Sequence, residues 1–124
     1  MSMKVLVADD SGVMRKIVMR ALSSLGINDV VEAADGVEAL RHFGEHTFDL
    51  VLTDWNMPGK TGVEVLRDIR ATGSKIPIVL ITTEAEKTRV LEAIQAGVSE
   101  YVVKPFDAAT LQAKLSKFID PALV

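Results

Sequence analysis

Val5-Leu6-Val7-Ala8-Asp9-Asp10 sets a continuous β-branched and aliphatic run directly against two carboxylates, and this pattern decides the fold. A strand covered on one face alternates apolar and polar residues, whereas an unbroken run predicts a parallel-sheet strand buried on both faces. Val30-Val31, Leu50-Val51-Leu52, Ile78-Val79-Leu80-Ile81 and Tyr101-Val102-Val103 read the same way. Helical spacings separate them. Met14, Ile17, Val18, Ala21, Leu22 and Leu25 return every three or four residues. Ala108, Leu111, Leu115, Phe118 and Ile119 do so again, up to Asp120-Pro121, where proline cannot continue the ladder. Asp35 with Glu38, Thr61 with Glu64 and Thr83 with Glu86 each predict a helix start, a side-chain cap answered three residues later. Strand and helix alternate throughout. The expected architecture is α/β: a doubly wound, five-stranded parallel sheet with five helices and right-handed crossovers.

Composition sets bounds on function. At 124 residues the chain is expected to form a single domain, 1–124, able to bury roughly two-thirds of its unfolded surface. The apolar fraction of 48% and charged fraction of 25% are ordinary for a globular protein, so function must come from a local site. A net charge of −3 argues against wholesale attraction to nucleic acid or anionic membrane. The absence of cysteine rules out disulfides, thiolate catalysis and thiolate metal ligands. Met1 to Asp10 reaches two aspartates too early for a signal peptide, and no apolar run approaches the ~18 residues of a span, so a cytoplasmic location is expected.

In an open α/β sheet, ligands bind beyond the carboxyl ends of the strands. Asp9 and Asp10 follow the first run, Asp54 the third, Thr82 and Thr83 the fourth, and Lys104 the fifth. Singly, each has a structural explanation as a cap, a turn or a solvated charge. Together, three carboxylates at one sheet edge repel unless a cation neutralises them. Their all-oxygen character suits Mg²⁺, which keeps several waters and takes one or two carboxylates plus phosphate oxygens. A carboxylate beside Mg²⁺, with a lysine and a hydroxyl from neighbouring strands, is the set of parts that phosphoryl transfer requires, and Asp54 on a central strand is the expected nucleophile. His42 and His46, i,i+4 on the expected second helix, read as a solvated face because the sequence shows no third ligand.

These residues resemble the receiver domain of two-component response regulators, and within it the CheY-like chemotaxis branch. The resemblance runs over nearly the whole chain. It is carried by Val7-Ala8-Asp9-Asp10, Thr53-Asp54-Trp55-Asn56-Met57-Pro58-Gly59, Ile81-Thr82-Thr83-Glu84-Ala85-Glu86 and Glu100-Tyr101-Val102-Val103-Lys104-Pro105-Phe106. It implies a flavodoxin-like, CheY-like fold with strand order 2-1-3-4-5; strand–helix alternation alone leaves that order open. It further implies that Asp54 takes a phosphoryl group from a histidine kinase of the CheA type and forms an acyl phosphate. Asp10, Asp54 and the Asn56 carbonyl would ligate Mg²⁺, with Asp9 acting mainly through water, while Lys104 and Thr82 would hold the phosphoryl oxygens. Lys104–Pro105 matches the family's cis peptide. Thr82 and Tyr101 match its switch pair, and Asn56 and Glu84 match positions that tune self-dephosphorylation. Ala85, Val90, Tyr101, Val103 and Lys114 fall where the chemotaxis branch meets a flagellar motor switch protein of the FliM type. A phosphatase is a further implied partner. The implied protein is a cytoplasmic, monomeric phosphoprotein of phosphorelay signal transduction, not an enzyme beyond its own phosphorylation and dephosphorylation.

Other readings share parts of this pattern. A stand-alone receiver in a phosphorelay or another two-component pathway would have the same acceptor chemistry and a different partner. A haloacid dehalogenase-like phosphatase also uses an aspartyl nucleophile and Mg²⁺, but wants a second aspartate two residues on, where this chain has Asn56. A flavin binder of the same fold needs a Ser/Thr-rich phosphate loop where Asp9-Asp10 would repel the ligand. An inert module would not be expected to keep the acidic pair, acceptor, threonine and lysine together. The chain ends just after the expected fifth helix, so output is expected through protein contact.

Overall fold

In the computed structural model, which describes residues 3–119, the apolar runs become strands β1 (Lys4–Ala8), β2 (Asp29–Ala33), β3 (Leu50–Thr53), β4 (Ile78–Thr82) and β5 (Glu100–Val103). The helices between and after them are α1 (Gly12–Ser24), α2 (Gly36–Glu45), α3 (Gly62–Ala71), α4 (Lys87–Ala96) and α5 (Ala108–Ser116). All strand pairs are parallel, and the order is β2-β1-β3-β4-β5. The strand period of two sorts the core into layers. Leu6, Ala8, Val51 and Leu80 pack with Ala39 of α2, Val65, Leu66 and Ile69 of α3, and Ala93 of α4. Val5, Val7, Leu50, Leu52, Val79 and Ile81 face the other way, onto Val18, Ala21 and Leu22 of α1 and Leu111 and Leu115 of α5.

Burial on both faces holds for the central strands: every residue of β3 and β4 is buried, and all of β1 after Lys4. It fails at the edges. β2 and β5 each bury a single residue, Ala33 and Val102, because an edge strand lacks a neighbour on one side. The α1 stripe is also narrower than its spacing suggests, since Val18, Ala21 and Leu22 are buried while Ile17 is 43% exposed.

Local chemistry explains the helix starts. Thr61 and Glu64 form a complete capping box, with Thr61 Oγ1 accepting from the Glu64 N–H and Glu64 Oε1 from the Thr61 N–H. Asp35 caps α2 through the Glu38 N–H at 2.7 Å, whereas the Glu38 carboxylate turns toward His42 instead of back to the cap. The expected Thr83–Glu86 start is displaced: Glu86 itself is the N-cap of α4, without a side-chain hydrogen bond. The C-terminal helix stops sooner than its spacing predicts. After Ser116 the Phe118 and Ile119 amides donate to Leu115 and Ser116, an i→i+3 tightening that ends the regular ladder. Asp120 and Pro121 lie outside the described residues.

Candidate functional site

The ladder carries the site residues into place. Beyond the carboxyl ends of the strands, the Asp54 N–H donates to the Ala8 carbonyl at 2.8 Å, the Asp9 N–H to Ala33 at 3.0 Å, and the Lys104 N–H to Thr82 at 2.7 Å. Each is therefore held by the sheet and not by a free loop. β1 and β3 are adjacent, and their connections leave toward opposite edges of the sheet, which opens a crevice at their carboxyl ends.

In that crevice the side chains converge. Lys104 Nζ donates to Asp9 Oδ2 at 3.0 Å and lies 3.5 Å from Asp54 Oδ1. One oxygen from each of Asp9, Asp10 and Asp54 lies within 4.8 Å of the other two. Asp9 and Asp54 are buried, while Asp10 is exposed. Backbone amides orient the buried pair: Ser11 N–H donates to Asp9 Oδ1 at 2.9 Å, and Trp55 N–H to Asp54 Oδ1 at 2.8 Å. Burial raises the Asp54 pKa above the ordinary carboxylate value; Lys104 opposes the shift, the Asp9 charge adds to it, and the Trp55 N–H opposes it. A group of three carboxylates with one shared lysine has an excess of negative charge and only oxygen donors. That donor set fits a hard divalent cation such as Mg²⁺.

Thr82 is fully buried at the end of β4, and its hydroxyl accepts from the Glu84 N–H at 3.1 Å. Glu84 is a junction. Its carbonyl accepts from the Tyr101 hydroxyl, and its carboxylate accepts from Asn56 Nδ2 at 3.3 Å. Asn56 and Glu84, paired only by resemblance in the sequence, thus touch. Tyr101 is half-buried, edge-on to Trp55 with ring centroids 6.5 Å apart. The Lys104–Pro105 peptide is cis.

The remaining expected residues lie on α4, β5, α5 and the loop before α4. Ala85 and Val103 are exposed and Val90 is half-buried. Lys114 Nζ is engaged, donating to the Tyr101 carbonyl at 3.0 Å with Glu100 at 3.6 Å. Leu91 and Ile94 escaped the sequence reading, yet both are large apolar side chains exposed on α4. Their signal was available, since helical spacing in α4 supports only a thin buried stripe, reduced here to Ala93. Arg15 was also missed. Its Nη1 donates to the Asp9 carbonyl at 2.6 Å and its Nε to Glu32 at 2.9 Å, placing a second cation beside the acidic group. Beside His42 and His46, where the sequence shows no third ligand, the structure places Glu45, with one ligand atom of each residue within 4.8 Å of the other two.

An acidic crevice, a lysine from the last strand and a buried threonine on a 2-1-3-4-5 sheet define a receiver domain. Residues 5–116 match the response regulator receiver domain family, and the chain belongs to it. It is 47% identical over 121 residues to the chemotaxis protein CheY-3 of Vibrio cholerae, spanning 96% of this chain and 93% of that protein. To the chemotaxis protein CheY of Pseudomonas aeruginosa it is 43% identical over 120 residues, 95% of this chain and 97% of the other. The solved structure of the chemotaxis response regulator CheY4 of Vibrio cholerae superposes with a TM-score of 0.87 at 35% identity, covering 96% of this chain and 100% of that one. The chain is therefore a CheY-like receiver domain of two-component signalling. Among the described residues, no helix is long and apolar enough to cross a membrane.

Proposed function

We propose that the chain acts as a single-domain phosphorylation switch in chemotaxis, accepting a phosphoryl group on Asp54 from a histidine kinase and changing its contacts with a motor-switch partner. The observation that carries this reading is the Lys104 ammonium shared between Asp9 at 3.0 Å and Asp54 at 3.5 Å, inside the three-carboxylate crevice. The names of the two chemotaxis relatives support the chemotaxis assignment.

Asp54 Oδ1 is occupied by the Trp55 N–H, so Oδ2 is the oxygen free to attack. As the Oδ2–P bond forms, the N–P bond of the donor phosphohistidine breaks and the electron pair returns to the imidazole, which takes up a proton. Asp10, Asp54 and the Asn56 carbonyl, with Asp9 behind them, would hold Mg²⁺, which would supply charge neutralisation to the transferring oxygens. Lys104 exchanges its carboxylate contacts for a phosphoryl oxygen, and Thr82 turns its hydroxyl to another. The signal ends when water attacks phosphorus, the P–Oδ2 bond breaks with its electron pair returning to the Asp54 carboxylate, and phosphate leaves; Asn56 and Glu84 set that water's access.

The switch runs through Glu84. Recruiting the Thr82 hydroxyl withdraws the acceptor from the Glu84 N–H, and the Glu84 carbonyl is the partner of the Tyr101 hydroxyl. The phosphoryl group then biases Tyr101 toward a second packing and alters the face formed by Ala85, Val90, Val103 and Lys114. Intact-mass measurement after incubation with acetyl phosphate or phosphoramidate tests the proposal. One added phosphoryl group that requires both Mg²⁺ and Asp54 is expected; a gain that survives Asp54→Asn, or none in the wild type, overturns it.

A further inference from the structure

We propose that His42, Glu45 and His46, at the C-terminal end of α2, form a second metal site, one that takes Zn²⁺ in preference to Mg²⁺. One ligand atom from each residue lies within 4.8 Å of the other two. Two imidazoles and one carboxylate are borderline donors, suited to Zn²⁺ and its neighbours, whereas the acceptor crevice offers only oxygen. Ligand type thus separates the two sites.

The helix geometry prepares the first group for its role. His42 and His46 are one turn apart, which stacks their rings on one side of the helix at a centroid separation of 6.1 Å. Neither nitrogen of His42 is committed to a hydrogen bond: Nδ1 is buried with no partner among the described residues, and Nε2 lies 3.6 Å from the Glu38 carboxylate. An unpartnered buried polar atom is costly, so a ring rotation that finds a ligand is favourable. With one nitrogen on metal, the other can donate to Glu38, the carboxylate–histidine arrangement that orients metal-bound imidazoles.

The other two ligands are free to close. Tetrahedral zinc needs its donors roughly 3.3 Å apart, closer than the 4.8 Å limit met here. His46 is the C-cap: its N–H still donates to the His42 carbonyl at 3.0 Å, but its extended backbone angles of φ −132° and ψ 158° release the chain beyond it from the helix. Glu45 is exposed, and its pair with Arg41 at 3.7 Å is a solvent-screened surface contact, easily exchanged. Water completes the fourth position. α2 runs away from the sheet edge that carries Asp54, and its ten residues span roughly 15 Å. The two sites are therefore at opposite ends of the helix, and zinc would clamp the last turn of α2.

The test is a zinc titration of the untagged chain against a competing chromophoric chelator, in millimolar Mg²⁺, with a melting curve at each end point. Wild type and Asp54→Asn should each bind one equivalent of Zn²⁺ and melt higher with it. His46→Ala, checked for an unchanged far-ultraviolet spectrum, should bind at least tenfold more weakly and show no shift; His42→Gln should behave likewise. No zinc retention by the wild type in Mg²⁺ overturns the proposal. So does wild-type affinity in both histidine variants, or loss of the ion in Asp54→Asn, which would place it in the acidic crevice.

Discussion

Asp54 is where burial and charge oppose each other. Burial favours the neutral acid, and Lys104 at 3.5 Å recovers only part of the cost because it is shared with Asp9 at a shorter distance. The folded chain therefore holds this proton to a higher pH than the unfolded chain, whose ordinary value is 3.8. The stability linked to that proton is present below 3.8 and is lost as pH rises through the raised folded value. At neutral pH the ionised Asp54 carboxylate is a destabilising group. Asp54→Asn in EDTA at pH 7 should melt above wild type by roughly 3–5 °C, about 1 kcal/mol, and the gap should vanish as the pH falls toward 3.8. Thermal unfolding followed by circular dichroism measures both; a variant that melts below wild type at pH 7 would mean that the Lys104 contact outweighs burial. Residues of this kind were legible because a carboxyl-end position is a one-dimensional property: Asp9 and Lys104 directly follow an apolar run, and Asp54 follows one after Thr53. Arg15 was not, since its role depends on a side chain reaching back from α1 to a backbone carbonyl, and periodicity carries no trace of that.

Among the elements, the two helices that follow β3 and β4 start differently. α3 is fastened on both sides of its first residue. Thr61 supplies the capping box, the Gly62 N–H donates to the Trp55 carbonyl at 2.8 Å, and a Cβ on Gly62 would lie 2.0 Å from the Asp54 carbonyl oxygen. Gly62→Ala must push α3 off the acceptor loop, and a loss of about 3 kcal/mol in urea unfolding is expected; a loss below 1 kcal/mol would show that the loop yields freely. α4 has the opposite character, with Glu86 at its N-cap making no side-chain bond. Glu86→Ser should add about 0.5–1 kcal/mol and slow amide exchange in the first turn of α4, an effect that a pre-satisfied cap would not show. The sequence placed the α3 start correctly because both halves of its box are local. It misplaced the α4 start because Glu84 is held on both sides: the Thr82 hydroxyl, two residues back, takes its N–H, and the distant Tyr101 hydroxyl donates to its carbonyl. A cap motif is overridden when tertiary contacts hold its first residues extended. The same limit applies at the sheet edges, where Val30 and Tyr101 look apolar enough for full burial but lack the neighbouring strand to provide it.

On the scale of the whole molecule, a receiver needs its acceptor crevice to be sensed across the sheet, and Trp55 sits where both ends of that path meet. It is the only tryptophan and is buried, with its amide on Asp54 Oδ1, the Arg89 guanidinium 5.5 Å from its ring centroid, and Tyr101 edge-on at 6.5 Å. A change of charge at Asp54 acts on the ring at once. A change at Tyr101 or Arg89 reaches it only if the packing around Glu84 shifts. Two separable emission steps are therefore expected, the first on adding Mg²⁺ and the second on adding acetyl phosphate. Asp54→Asn should abolish the second step. Tyr101→Phe keeps the ring but removes the hydroxyl bond to the Glu84 carbonyl, so it should still gain the phosphoryl group by mass while its second emission step shrinks by at least half. If Tyr101→Phe instead gives a full second step, Trp55 is reading the phosphoryl charge alone, and the path through Glu84 does not carry the signal to α4 and β5.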